Sequence, residues 1–257
     1  MNRHRFYASP PEISGSTITL SPEESHHLGR VLRLKSGDHV SAFDGLGSEY
    51  LCSVANASGN QATLDIIEPL ADQVESHLSL TLAQALAKGE KFDFIVQKAT
   101  ELGVRRIVPI VTEHSDVRIA DEKADRRLLR WQRIALEAVK QCGRRVLLQI
   151  EPPLAFTEFL NCENPRSDAA LSAELPLMLA FTEKGGDPIG SVISAYRPGS
   201  PVVAVIGPEG GWSDLETRAM LEFGCQCVTL GRRTLRTETA AIAAVTLIQH
   251  ALGDLSR

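Results

Sequence analysis

Two segments of this chain carry residue types that could do chemistry. The first is VVAVIGPEGGW, starting at Val202. The second is VTLGRRTLRTETAAIAA, from Val228 to Ala244. Each begins with a short apolar run, over 202–206 and 227–230, that breaks at a glycine. Gly207-Pro208-Glu209-Gly210-Gly211 leads into Ser213-Asp214-Leu215-Glu216, a capping box that opens a helix. Gly231, Arg232 and Arg233 lead through Leu235-Arg236-Thr237-Glu238-Thr239 into an alanine-rich helix. Two adjacent strand ends finishing in glycine-bearing loops form a crevice lined by backbone amides, a usual ligand site in α/β proteins.

GPEGG lacks the lysine and the Ser/Thr that bind phosphate and magnesium in a P-loop, and it is not the GxGxxG dinucleotide fingerprint. What remains is a pocket for a neutral or cationic ligand that lies close to backbone, or a tight turn that needs positive φ. The second loop favours a ligand. Arg232, Arg233 and Arg236 crowd just before a helix N-terminus, where the helix dipole favours anions. Such a local conflict is expected at functional sites, and it suggests a polyanion brought to the bound ligand. Glu238, at the helix start, reads equally well as a capping carboxylate.

Elements of two kinds must position these loops. The chain has 257 residues, 43% of them hydrophobic and 23% charged, enough for a proper core in one large or two modest domains. Residues 1–72 read as a small β-barrel or meander. It has a helix over 23–31 opened by Ser21 and Pro22, and strands over 39–43, 49–54 and 62–67. After a linker over 68–79, residues 73–257 form an α/β domain with a largely parallel sheet. Strands are expected at 80–85, 106–111, 146–150, 177–181, 202–206 and 227–230. Helices are expected around 92–102, 128–142, 187–195 and 239–252, with a polar loop at 161–176. The last helix, apolar nearly all round, is either core or interface.

A net charge of −5 confines any nucleic-acid contact to local patches. One patch is Arg3, His4 and Arg5 with His26, His27, Arg30 and Arg33. The other is the basic run over 118–145, which includes Arg130, Lys140, Arg144 and Arg145 and reads first as a solvated helix face. No apolar stretch approaches a membrane span, and the N-terminus lacks the apolar core of a signal peptide. Five cysteines without a CxxC pair argue against a disulfide framework or a zinc site. The reading is a cytoplasmic protein without a metal.

IGPEGGWSDLE together with LGRRTLRTETAAI resembles the C-terminal signature of the ribosomal RNA small subunit methyltransferase E family. LAKGEKFDFIVQKATELGV, TEHS at 112–115, WQRIALEAVKQCGR, RHRFY, HHLGRVLRLKSGD and FDG are similar to further blocks of that family. The resemblance spans nearly the whole chain. It implies a SPOUT-type α/β domain with a trefoil knot, preceded by a PUA-like RNA-binding domain. It also implies S-adenosylmethionine as cofactor, methyl transfer to N3 of a uridine in 16S ribosomal RNA, and a homodimer. The partner would be small-subunit rRNA or the assembled small subunit. Rival readings are a SPOUT ribose 2′-O-methyltransferase and a non-catalytic RNA-binding assembly factor.

Carried onto this chain, the cofactor pocket comprises Phe181 and Thr182, then Ile206, Gly207, Gly210 and Gly211, then Leu230, Gly231, Leu235, Thr237 and Ala240. Arg236 is expected to stabilise charge. Glu238 or Glu209 is expected to accept or orient the N3 proton. Arg3, Arg5, Arg30 and Arg33 are expected to hold the RNA backbone. Arg232 stands where the family usually has proline and adds a cation for phosphate.

Overall fold

The computed structural model describes residues 3–57, 61–71, 74–115, 121–163, 176–183, 185–194, 196 and 199–256. The chain divides into two compact units: Met1–Glu75 with Val139–Leu147, and Ser76–Ala138 with Leu148–Arg257.

The first unit is a six-stranded sheet. Its strands are β1 (Arg5–Tyr7), β2 (Ile13–Ser14), β3 (Thr17–Thr19), β4 (His39–Phe43), β5 (Glu49–Asn56) and β6 (Thr63–Pro69), in the spatial order β1-β4-β5-β6-β3-β2. Only β1 and β4 pair in parallel. Alternate residues turn inward, so Phe6, Ile18, Val40, Ala42, Cys52, Val54 and Leu64 meet in one buried cluster. Register shifts at Leu51/Cys52 and Val54/Asn56 interrupt the β5–β6 ladder, the kind of irregularity that bends a strand. The helix expected at 23–31 is α1 (Pro22–His26) followed by a wider π-helical turn, His27–Val31. The Ser21 hydroxyl accepts from the Glu24 amide at 3.2 Å and starts it.

Two expectations change here. Only Gln149–Ile150 of the run 146–150 pairs in the second unit's sheet; Val146 instead bridges to Gly45 and Leu46. The basic run over 118–145 is also not uniformly a solvated face. Residues 118–120 lie outside the described residues, but Lys140, Arg144 and Arg145 are buried ion-pair partners. Lys140 Nζ reaches Glu24 at 2.8 Å, Arg144 Nε reaches Glu75 at 3.0 Å, and Arg145 Nε reaches Glu49 at 2.9 Å.

Arg5 completes this network, and the structure removes it from the RNA-facing set. Its guanidinium donates to both Glu49 oxygens, at 2.9 and 3.2 Å. It also donates to the carbonyls of Val139, Lys140 and Arg144, at 2.8, 3.0 and 2.8 Å. These five contacts match the donors an arginine has, so none is left for a phosphate.

The second unit holds an eight-stranded, all-parallel sheet. In chain order its elements are β7 (Leu80–Ala85), α2 (Lys91–Glu101), β8 (Arg106–Val111), α3 (Asp121–Cys142), β9 (Gln149–Ile150), β10 (Leu154–Ala155), α4 (Phe156–Cys162) and β11 (Leu177–Phe181). Then follow β12 (Asp187–Pro188), α5 (Ile189–Ile193), β13 (Val202–Ile206), α6 (Asp214–Glu222), β14 (Gln226–Thr229) and α7 (Thr237–Leu252). The polar loop expected at 161–176 falls largely on 164–175, outside the described residues. The strand order is β10-β8-β7-β13-β11-β14-β12, with β9 also on β8.

Both faces of this sheet are covered, which is why its strands read as nearly unbroken apolar runs. Leu80, Leu82, Val202, Ala204 and Leu179 pack on one face with α2 and α7 residues such as Phe92, Ile95, Ala244 and Ile248. Ala83, Ala85, Val203, Val205 and Met178 pack on the other with Phe156, Phe159 and Met220 from α4 and α6. The expectation that the two glycine-bearing strands are neighbours is corrected: β11 lies between β13 and β14. No helix among the described residues is long and apolar enough to cross a membrane.

Burial alone would raise the Glu49 carboxyl. Hydrogen bonds from Arg5, Ser41 and Arg145 and the charge of Arg5 outweigh it and hold the group below its ordinary value of 4.5. Glu75 is likewise lowered: burial opposes the shift, but the Val146 amide, the Arg144 guanidinium and the Arg145 amide prevail. Stability from these groups is therefore complete above the ordinary carboxylate value and is lost as pH falls through their depressed folded-state values. Glu49→Gln leaves Arg5 and Arg145 uncompensated. It should cost about 3–5 kcal/mol in urea unfolding at neutral pH and flatten the acid limb of the stability profile.

Candidate functional site

The C-terminal ends of β11, β13 and β14 open into one cleft of about 960 Å³. Three loops line it. The first brings Phe181, Thr182 and Glu183. The second brings Ile206 through Trp212, with Asp214 and Thr217 from the start of α6. The third brings Thr229, Leu230, Gly231, Arg233 through Thr237, and Ala240. Every residue of the expected pocket lines this cleft, and so do Arg236 and Glu209.

Specific contacts tie the loops together. Trp212 Nε1 donates to the Phe181 carbonyl at 2.9 Å, joining the second loop to the first. The Thr237 hydroxyl donates to the Gly207 carbonyl at 3.0 Å, joining the third loop to the second. The Thr182 amide donates to the Val228 carbonyl at 2.9 Å, joining the first loop to the end of β14. Glycine at 207 is required sterically, since a Cβ there would lie 2.8 Å from Trp212 Cε2. A Cβ on Gly210 would lie 2.9 Å from His114 Cβ. These two glycines are close-approach positions. Gly211 and Gly231 instead have φ of +75° and +99°, the left-handed region that favours glycine.

The capping box at α6 forms as its sequence predicts. Ser213 Oγ accepts from the Glu216 amide at 3.3 Å, and Glu216 Oε2 accepts from the Ser213 amide at 3.0 Å. The other Glu216 oxygen accepts from the Glu113 amide at 2.9 Å. His114 Nδ1 donates to the Gly211 carbonyl at 3.1 Å. The TEHS segment therefore buttresses the GPEGG loop from behind.

Charge in the cleft is mixed. Lys91, at the first position of α2, forms an ion pair with Glu209, and Arg233 and Arg236 add further positive charge opposite Glu183 and Asp214. Lys91, Glu183, Arg233, Trp212 and His114 join the expected residues. Trp212 had a visible signal, as the large aromatic closing the glycine motif. Lys91 did not, because a lysine at a helix start reads as surface.

Glu238 stands apart. It lies at the second position of α7 and does not line the cleft, and one of its carboxylate oxygens is buried without a hydrogen-bond partner among the described residues. Arg232 is exposed and also outside the lining, and Arg3, Arg30 and Arg33 are exposed on the first unit. Arg33 has φ of 56°, uncommon for a residue with a side chain. Burial pushes the Cys52 thiol up to about 12 and the Cys225 thiol up to about 11, so neither supplies a thiolate. Among the described residues no group of His, Cys, Asp and Glu gathers as a metal site.

A family described as an RNA methyltransferase domain matches residues 74–249, and an RNA methyltransferase PUA domain matches residues 20–67. Fold and cleft thus fall within the class of RNA methyltransferase-domain proteins. Among relatives, the ribosomal RNA small subunit methyltransferase E of Synechocystis is 32% identical over 97% of this chain and 78% of its own length. That of Aquifex aeolicus is 30% identical over 96% and 99%. The Neisseria gonorrhoeae ribosomal RNA small subunit methyltransferase E, solved bound to S-adenosylmethionine, superposes with a TM-score of 0.85 at 32% identity. It covers 99% of this chain and 100% of its own. A Legionella pneumophila protein solved with that cofactor gives a TM-score of 0.86 at 33% identity, with the same coverage. The chain belongs to the ribosomal RNA small subunit methyltransferase E family.

Gly207→Ala should drive the new methyl into the Trp212 indole and strain its bond to Phe181. We expect a loss of about 1–3 kcal/mol in urea unfolding, as overpacking in a close contact produces. Substituting Gly224, where a Cβ meets nothing within 4 Å, tests backbone strain alone, since its φ is +82°.

Proposed function

We propose that this protein is an S-adenosylmethionine-dependent methyltransferase of small-subunit ribosomal RNA that methylates N3 of a uridine. The observation that carries the reading is the convergence of three glycine-bearing loops on one cleft whose volume suits a small-molecule ligand. The donor set fits this cofactor. Leu230 and Leu235 offer apolar contact for adenine, and the glycines let backbone groups approach. The acids Glu183, Glu209 and Asp214 suit a cationic sulfonium, and no phosphate cradle is present. When bound, the cofactor supplies an electrophilic methyl group.

The chain's own task is to make uracil N3 a nucleophile. The neutral imide nitrogen must lose its proton, so the site needs an acceptor for it and positive charge near the uracil oxygens. Arg236, with Arg233 beside it in the cleft, is assigned the stabilising charge. Glu209 lines the cleft, and Lys91 fixes its carboxylate. It is the better placed of the two candidate acids to accept or orient the proton. Holding N3 in line with the methyl group supplies a further share of the acceleration.

The first unit, as a PUA-like RNA-binding domain, would hold RNA through Arg3, Arg30 and Arg33, with Arg232 adding a phosphate contact on the second. Domain limits near 72, a trefoil knot through the cleft loops, a homodimer and a cytoplasmic location belong to the same reading. The substrate is rRNA or the assembled small subunit.

Incubating small subunits that lack the modification with the protein and cofactor should yield N3-methyluridine on nucleoside mass spectrometry. A ribose-methylated nucleoside would point to a 2′-O-methyltransferase. Absence of cofactor binding by calorimetry would point to a non-catalytic RNA-binding factor. In single turnover, Arg236→Ala and Glu209→Gln should each slow the reaction by about 10²-fold or more. Glu238→Gln should have a far smaller effect. A full rate for Glu209→Gln would remove that residue as base.

A further inference from the structure

Gln84 is a polar side chain where the fold has no place for one. It lies at the C-terminal end of β7 and follows Leu80 and Leu82 on the sheet face that packs against α2 and α7. It is fully buried. In the pairing of β7 with β13 it stands opposite Ile206, the residue just before Gly207. A buried amide in an apolar layer is costly unless its hydrogen bonds repay the desolvation. Here the cost is only partly met, because Gln84 Oε1 has no partner among the described residues.

Its other end is fully used. Gln84 Nε2 donates to the Ala85 carbonyl at 2.9 Å and to Thr237 Oγ1 at 2.9 Å. A carbonyl only accepts, so the group facing Ala85 must be the NH₂. The same amide then fills an acceptor position on Thr237 Oγ1. The hydroxyl proton is turned toward the Gly207 carbonyl, 3.0 Å away, which can only accept. The polarity of the chain Gln84 to Thr237 to Gly207 is thereby set from the buried end.

We propose that Gln84 is a positioning residue for the cofactor cleft. It orients the Thr237 hydroxyl so that the start of α7 is clamped to the Gly207 loop. Gln84 does not line the cleft, whereas Thr237 and Gly207 do, so it acts through them. The clamp joins three segments far apart in sequence: the end of β7, the loop after β13 and the first turn of α7. Without the Gln84 donor, the Thr237 hydroxyl can rotate and the two cleft walls lose their fixed separation. The inference rests on the cleft being the S-adenosylmethionine site.

The test measures the dissociation constant for S-adenosylmethionine by calorimetry, and thermal unfolding, for the wild type, Gln84→Met, Thr237→Val, Thr237→Ser and the Gln84→Met/Thr237→Val pair. Gln84→Met keeps length and apolar packing but removes the donor. It should weaken cofactor binding about tenfold or more, as loss of a buried hydrogen bond does. Thr237→Val should weaken binding to a similar extent, and Thr237→Ser, which keeps the hydroxyl, should restore most of it. The double variant should bind no worse than the weaker single one, because both remove the same clamp.

A merely structural role would lower the unfolding temperature and leave the dissociation constant unchanged. Binding within twofold of wild type in folded Gln84→Met overturns the proposal, as do additive losses in the double variant. If Gln84→Met does not fold, the contrast of Thr237→Val with Thr237→Ser, together with Gln84→Glu, which also lacks the donor, decides it. Failure of the wild type itself to bind the cofactor would instead reject the functional reading beneath the inference.

Discussion

The hydrogen bond from Thr237 to the Gly207 carbonyl is the contact on which the cleft depends. It joins the loop that leaves β13 to the one that follows β14, although β11 separates those strands in the sheet. Strand pairing therefore cannot set the distance between the two loops. Without a cross-link each would be a glycine-bearing turn free to move by itself. The bond from Trp212 to Phe181 ties the middle strand's loop into the same frame. A sheet buried on both faces leaves only its strand ends for a ligand, and these bonds make the ends into a shaped surface.

Much of this was legible locally. Strands at 39–43, 80–85, 106–111, 177–181 and 202–206 have the bounds that their apolar runs and flanking turns predict. The capping box at Ser213 forms as written, because its partners lie three residues apart. Long-range pairing was not legible. Arg5 and Arg145 looked like exposed cations because Glu49, which neutralises both, lies 44 and 96 residues away from them. Val146 is apolar and β-branched, and such a residue looks the same whichever unit it joins. Strand order was hidden for the same reason, so β13 and β14 read as neighbours.

The site divides along that line too. Its glycines could be read because backbone conformation and close approach restrict the residue type strongly. Glu238 was attractive as an acid beside a glycine loop, but a helix turns its side chains by about 100° per residue, so Thr237 and Glu238 face different ways. The signal for Gln84 was present as a lone amide in the apolar run 80–87. Its meaning required knowing what the end of β7 touches.

The segment Val139–Leu147 packs as part of a unit otherwise made from the first 75 residues. Glu49 and Glu75 sit in that unit with acceptors that only Arg144, Arg145 and the backbone of 145–146 satisfy in addition to Arg5 and Ser41. During synthesis the first 75 residues leave the ribosome well before those partners exist. The small sheet thus emerges with buried carboxylates short of donors and cannot reach its final stability early, unlike an N-terminal domain that folds as it appears. Its completion is coupled to translation of nearly the first 150 residues (Leu147 closes the segment). The N-terminal unit of this protein is therefore first in sequence but not first to be finished.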